Sequence, residues 1–146
     1  MPEALISKQQ FQQIAQERVP FIGQLGVVVD ELDFGETALR IPFQEDFLRP
    51  GGTIAGPVMM GLADLAMYGV VLSMIGPVEL AVTTNLNINF LRRPLPGDVL
   101  AQAKILKLGK RLAVGEVTIY RAGDEDPVAH VTATYSIPPT ATESSV

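Results

Sequence analysis

Apolar residues run almost without interruption from Gly56 to Gly76, and Asp64 is the only charged residue among them. Gly56-Pro57 predicts a helix start, because proline fits the first helical position, where its missing N–H is not needed. Gly76-Pro77 predicts the end of the helix. The length could span a bilayer, but the central Asp64 and the small Gly and Ala residues argue against a membrane span. We therefore interpret the segment as a helix buried on nearly all sides in a soluble core.

Alternation of apolar and polar residues with a period of two predicts strands in the rest of the chain. The clearest case is 82–90 (VTTNLNINF). There the pattern predicts a mostly buried face formed by Val82, Thr84, Leu86, Ile88 and Phe90. The opposite face would carry Thr83, Asn85, Asn87 and Asn89. The other predicted strands are 26–33, 37–43, 99–108, 112–120 and 128–137, and a short helix is predicted over 7–17.

The predicted order is a short helix, two strands, the long apolar helix and four further strands joined by hairpin-like turns. A helix that is apolar all round must be covered, and a curved antiparallel sheet wrapped around it would cover it. The fold class is therefore α+β, with one domain over residues 1–137. Residues 1–20 form a helical lead-in, and residues 138–146 are expected to be a disordered tail. Pairing of sheet edges between two subunits would remove an exposed edge, so we expect a homodimer.

The charge balance and the rare residue types exclude several classes of function. The 146 residues include 11 Lys and Arg against 16 Asp and Glu, a net charge of −5, which argues against general nucleic-acid binding. The chain has no Cys, so disulfides and thiolate chemistry are excluded, and its single His130 is expected to be structural. We expect no metal, no cofactor and no membrane partner. The N-terminus lacks the apolar run of a signal peptide, which favours a cytoplasmic location.

Asp64 is the residue with the clearest chemical signal. A carboxylate inside an apolar helix is costly to desolvate unless it has a partner or faces a water-filled cleft. From the residues alone it is either a catalytic carboxylate or a structural one that caps a backbone group or pairs with an Arg across an interface. Tyr68 shares the Asp64 face and is expected in the core or in a pocket wall. No Gly-x-Ser-x-Gly motif is present, which argues against a serine α/β-hydrolase.

Basic residues are concentrated in one part of the chain. Six of the eleven are Arg92, Arg93, Lys104, Lys107, Lys110 and Arg111. Asp98 is the only acid between them. Such a patch on an acidic protein suits a small polyanion, and ordinary solvated strand faces and turns are the alternative.

The order of elements and the segment GTIAGPVMMGLADLAMY resemble the hotdog-fold thioesterases of the phenylacetate-degradation (PaaI) type. The signature of that family is a His-Gly-Gly at the helix start, followed by an apolar run to a Leu-x-Asp. Asp64 falls nine residues after Ala55, which is the spacing of the signature. The segments 82–120 and 128–135 are similar to the later strands of the family, so the resemblance covers roughly residues 20–137.

The resemblance implies hydrolysis of an acyl-CoA thioester at sites between the subunits of a homodimer or a dimer of dimers. Asp64 matches the family's nucleophile or general base. Gly56 matches the residue whose backbone N–H polarises the thioester oxygen, and Thr83 matches a hydroxyl residue that helps to place water. The resemblance also implies that CoA phosphates bind near the basic strand ends, which are represented here by Arg92, Arg93, Lys110 and Arg111.

Three positions depart from the family pattern. Ala55 replaces the signature His, Pro57 replaces the second Gly, and Arg49 replaces an Asn. A backbone oxyanion site survives these changes, so an acyl-CoA thioesterase is the first hypothesis. The alternative is a degenerate hotdog protein that binds acyl-CoA or an acyl ligand without hydrolysis. A dehydratase or hydratase of the same fold would need a His at the helix.

Only the residues around the helix indicate which acyl groups the protein could bind. Four methionines at positions 59, 60, 67 and 74 suggest an adaptable apolar pocket wall. Such a wall suits a small, medium-chain or aromatic acyl group.

Overall fold

The computed structural model describes residues 2–139, so the part of the predicted tail from residue 140 onward lies outside the described residues. The helices are α1 (Lys8–Glu17), α2 (Pro20–Gly23) and α3 (Gly56–Ile75), and a 3₁₀ turn spans Glu45–Phe47. The strands are β1 (Val28–Asp33), β2 (Glu36–Ile41), β3 (Leu48–Arg49), β4 (Thr53–Ile54), β5 (Val82–Phe90), β6 (Val99–Leu108), β7 (Leu112–Arg121) and β8 (Ala129–Ser136).

Six of these strands form one antiparallel sheet in the order β1-β2-β6-β7-β8-β5. Helix α3 contacts all six strands, so the sheet wraps around the helix. This arrangement confirms the predicted α+β class and is the architecture of the hotdog fold. The short hairpin β3-β4 lies between β2 and α3 and forms a separate two-stranded sheet.

Helix α3 lies in the hydrophobic core, as predicted, and is not exposed as a membrane span would be. Leu62, Met67 and Leu72 have no exposed surface. Gly69 lets α1 pack closely, because a Cβ at this position would lie 2.6 Å from the Phe11 ring. One stripe in the first half of the helix is less buried, and its members are Pro57, Met60, Gly61 and Asp64. Their spacing of three or four residues places them on one face of the helix.

The two edges of the six-stranded sheet differ. At the β1 edge, the side-chain amide of Gln12 in α1 donates to the Val27 carbonyl and accepts from the Val29 N–H, both at 2.8 Å. This amide substitutes for a neighbouring strand. At the opposite edge, β5 is hydrogen bonded to β8 on one side, and none of residues 2–139 pairs with its other side. An open strand edge is a template for pairing with another chain.

For the first three residues of β5, 82–84, the prediction of which side chains face the core is wrong. The ladder with β8 pairs Thr83 with Tyr135 and Leu86 with Ala133, and the register shifts between these pairs. A bulge adds one residue and reverses the alternation, so Thr83 points to the same side as Leu86. Val82 is 57% exposed instead of buried. The predicted buried face holds only from Leu86 onward, and Phe90 at its end is still 49% exposed.

Candidate active site

The side chain of Asp64 is held by two hydroxyl groups from different strands. Its Oδ1 accepts a hydrogen bond from Thr83 Oγ1 at 2.5 Å and from the Tyr135 hydroxyl at 2.9 Å. Within residues 2–139, Oδ2 accepts no hydrogen bond and no cation pairs with the carboxylate. An ion pair with an Arg of another subunit stays a prediction, because the structure holds one chain. One oxygen is fixed by the protein, and the other remains available for chemistry.

Asp64 borders a cavity of about 320 Å³ between α2, α3 and the start of β5. Ile22, Leu65 and Leu80 supply apolar surface, and the exposed ion pair of Arg18 with Glu79, at 2.8 Å, borders it. Asp64 is the carboxylate of this cavity that has no cation partner among residues 2–139, since Glu79 is paired with Arg18. An open cavity with apolar walls and such a carboxylate suits an acyl group with a reactive carbonyl. A larger cavity of about 890 Å³ lies beside Met74 and β6, and it contains none of the predicted catalytic residues.

Two stacked tyrosines lie beside Asp64. The rings of Tyr68 and Tyr135 are 6.0 Å apart with an interplanar angle of 24°. Tyr68 lines the cavity, as expected, and its hydroxyl donates to the Glu79 carbonyl at 2.9 Å. Burial, followed by the charge of Asp64, raises the pKa of Tyr135 far above its usual value. Tyr135 is therefore a neutral hydrogen-bond donor at any working pH.

Tyr135 lies in the last predicted strand, 128–137, but the sequence pattern did not place it in the site. Two features bring it there, namely the position of the bulge in β5 and the cross-strand pair with Thr83. A period-two pattern cannot locate a bulge here, because both registers place Leu86, Ile88 and Phe90 on one face and differ only at the first residues of the strand. The available signal was the Thr83-Thr84-Asn85 run, where adjacent small polar residues precede the regular alternation.

Gly56 begins α3 and has the properties of a backbone donor. Its N–H has no acceptor among residues 2–139, and Ala55 at the N-cap offers no side-chain bond. A Cβ at Gly56 would lie 3.2 Å from the Phe90 ring, so glycine suits this close approach. Gly56 is eight residues before Asp64, which is about 12 Å along the helix. One chain therefore brings Asp64 and Thr83 together but does not bring Gly56 to them.

The predicted basic patch is divided between the two ends of the sheet. Arg92 and Arg93 follow the end of β5, and Arg92 forms an exposed ion pair with Asp126 at 3.4 Å. Lys110 and Arg111 lie in the β6-β7 turn, where the Arg111 carbonyl accepts from the Ile137 N–H. Since Ile137 follows β8 and β8 is antiparallel to β5, this turn lies near the start of β5 and not near its end. A single chain does not form one patch from all four residues.

His130 lies on the face of the sheet away from α3, consistent with a structural residue. Its Nε2 is 3.0 Å from the Glu116 carboxylate, which Lys104 approaches to 3.3 Å. Hydrogen bonds from His130 and then Lys104 hold the pKa of Glu116 below its usual value. This polar cluster is on the opposite side of the sheet from Asp64. Among residues 2–139, no group of three His, Asp or Glu side chains could hold a metal ion.

Comparisons with known proteins agree with the fold. Residues 51–128 match the sequence profile of the Thioesterase superfamily. A Halobacterium salinarum protein, provisionally named an esterase, is 34% identical over 105 residues, covering 68% of this chain and 69% of that protein.

Solved structures extend the likeness to almost the whole chain. A crystal structure from Silicibacter sp. TM1040, titled provisionally as a thioesterase, has a TM-score of 0.84 and 45% identity, covering 94% of this chain and 95% of that chain. A mutant of the phenylacetic acid degradation protein PaaI from Thermus thermophilus has a TM-score of 0.73 and 29% identity, covering 82% of this chain and 99% of that chain. The chain therefore belongs to the thioesterase superfamily, as a hotdog-fold member of the PaaI type.

Proposed function

We propose that the protein is an acyl-CoA thioesterase that uses Asp64 as its nucleophile or general base. The observation that carries the proposal is the asymmetry of the carboxylate. Oδ1 accepts two hydroxyl hydrogen bonds, while Oδ2 accepts none from residues 2–139, and Asp64 borders the cavity described above. Membership of the thioesterase superfamily supports a hydrolase. The cavity suits a small, medium-chain or aromatic acyl group.

Two routes fit a carboxylate in this position. As a nucleophile, Oδ2 bonds to the carbonyl carbon, the C–S bond breaks, and the CoA thiolate takes a proton from solvent. Water then hydrolyses the mixed anhydride and restores Asp64. As a general base, Oδ2 takes a proton from a water molecule that attacks the carbon, and this proton passes to the departing sulfur. Each route consumes one water and releases a carboxylic acid and CoA.

The second half of the site would come from another subunit. The open edge of β5 is bordered by the exposed apolar residues Leu80, Val82, Phe90 and Leu91. Two-fold antiparallel pairing of β5 edges would set the Thr83 end of one strand beside the Phe90 end of the other. Since Asp64 is bonded to Thr83 and Gly56 packs near Phe90, Asp64 of one protomer would face the partner's Gly56.

The N–H of Gly56 would then stabilise the oxyanion that develops on the thioester oxygen. A backbone donor at a helix N-terminus is suited to this task, because it is fixed in place and aided by the helix dipole. The same pairing would bring Arg92 and Arg93 towards the end of the partner sheet that carries Lys110 and Arg111. Together these residues form the proposed contact for the phosphates of CoA.

A second candidate is an acyl-CoA binder without hydrolysis, and one observation favours it. Ala55 makes no side-chain bond at the helix start, where the family has a His. An assay of CoA release across a panel of acyl-CoAs, paired with calorimetric binding of the same compounds, separates the two functions. Release of CoA by the wild type supports the thioesterase. Binding without release from any member of the panel supports the binder.

A further inference from the structure

The buried hydroxyl of Tyr135 contacts the candidate carboxylate of Asp64. The family resemblance assigned no role to this residue. Tyr135 is 3% exposed, and its one hydroxyl proton is shared between Asp64 Oδ1, at 2.9 Å, and the Asp64 carbonyl oxygen, at 3.0 Å. It reaches the carboxylate from β8, whereas Thr83 reaches it from β5. The two donors therefore approach the same oxygen from two adjacent strands.

The Tyr135 ring has little freedom to move. It stacks on Tyr68 in α3, and its backbone pairs with Thr83 on one side and Ala113 on the other. A donor with a fixed ring and a fixed backbone is preorganised, so it does not need to be ordered when substrate binds. The raised pKa of Tyr135 also keeps the proton on this hydroxyl throughout the working pH range.

We propose that Tyr135 is a positioning residue for Asp64: its hydroxyl and that of Thr83 together hold Oδ1, fix the plane of the carboxylate, and leave Oδ2 as the reacting oxygen. This inference rests on the proposed function. A carboxylate held by one donor can rotate about its side-chain torsions, and two donors on one oxygen restrict that rotation. Small misplacement of a reacting group is costly to the rate, so the effect falls on kcat more than on KM.

A purely structural role is the competing explanation, since a buried tyrosine hydroxyl needs a hydrogen-bond partner wherever it lies. The two roles predict different effects of removing the Tyr135 hydroxyl in a variant that already lacks the Asp64 carboxylate. A positioning residue acts through Asp64, so its removal has no further effect on the rate once the carboxylate is gone. A structural residue affects the rate through the fold, and its loss adds to that of Asp64.

The test measures kcat, KM and thermal unfolding for Tyr135→Phe, which keeps the ring stack and removes the hydroxyl. The matched control is Tyr120→Phe, because none of residues 2–139 hydrogen bonds with the Tyr120 hydroxyl. We expect Tyr135→Phe to lower kcat about tenfold, with KM within about twofold, as for loss of one hydrogen bond to a charged group. Tyr120→Phe is expected to retain the wild-type kcat.

A double variant separates positioning from structure. We expect Asp64→Asn with Tyr135→Phe to have the same residual kcat as Asp64→Asn alone. Wild-type kcat in Tyr135→Phe, or a further loss of about tenfold in the double variant, would overturn the positioning role while leaving the thioesterase intact. Absence of CoA release by the wild type would instead overturn the proposed function, and this inference with it.

Discussion

Asp64 Oδ1 and Thr83 Oγ1 are 2.5 Å apart, although the two residues are 19 positions apart in the chain. The bond joins the middle of the buried helix to the first residues of the open edge strand. It exists because the bulge after Thr83 turns this side chain towards α3. The carboxylate is thereby fixed at the edge where we propose that a second subunit binds.

Replacement of Thr83 tests the hydroxyl on the edge strand. Thr83→Val keeps the shape of the side chain and removes the donor to Oδ1, so we expect kcat to fall about tenfold with little change in KM. Thr83→Ser is the matched control, because it keeps the hydroxyl, and it is expected to remain within about threefold of wild type. Steady-state kinetics on one acyl-CoA checks both variants. Equal kcat values for Thr83→Val and Thr83→Ser would show that the Thr83 hydroxyl has no role in catalysis.

Replacement of Gly56 tests the oxyanion donor. In Gly56→Ala the new Cβ lies 3.2 Å from the Phe90 ring, so the helix start or the ring must shift by a few tenths of an ångström. We expect kcat to fall about tenfold or more, because an oxyanion donor works only at the correct distance. Gly61→Ala is the matched control, since its Cβ is equally crowded, at 3.3 Å from Ile22. A similar loss of kcat in both variants would contradict a special role for Gly56.

The basic residues are tested through KM and its dependence on salt. Single Ala replacements of Arg92, Arg93, Lys110 and Arg111 are expected to raise KM more than they lower kcat, because these side chains would contact CoA far from the reacting carbon. The increase in KM should shrink at high salt. Lys104→Ala is the control, because Lys104 pairs with Glu116 on the outer face of the sheet. Unchanged KM in all four variants would exclude them from CoA binding.

The assembly is tested at the exposed end of β5. We expect light scattering to give at least twice the 15.7 kDa mass of one chain at micromolar concentration. Val82→Lys places a charge at an edge residue that is 57% exposed, so it should lower the mass towards one chain. Leu106→Lys is the matched control, because Leu106 is 54% exposed on β6, away from that edge. A monomeric wild type would contradict a site shared between subunits.

The helices and strands could be predicted well from the sequence, because each depends on a pattern within a single segment. The unbroken apolar run with a Gly-Pro at each end indicated α3, and the one charge in that run drew attention to Asp64. Each of these signals is local, so neither needs knowledge of strand pairing. An open sheet edge was also expected, but the sequence did not identify β5 as the strand that forms it.

The site was less predictable, because its parts depend on how distant segments meet. The role of Tyr135 requires the register of β5 on β8, and a bulge set by backbone geometry changes that register without a clear mark in the sequence. The basic residues were close in sequence but lie at opposite ends of a sheet, since ten-residue strands separate the turns. Gly56 and Asp64 are eight residues apart on one helix, so their joint action depends on the proposed second subunit.

The proposed function depends above all on the Asp64 carboxylate as nucleophile or general base. The most direct measurement compares CoA release by wild type and Asp64→Asn, with acyl-CoA binding and light scattering as controls for intact sites and assembly. Asn keeps the shape and removes the charge, so we expect kcat to fall by about two to four orders of magnitude while binding and assembly persist. Equal rates of CoA release by wild type and Asp64→Asn would contradict a catalytic role for the Asp64 carboxylate.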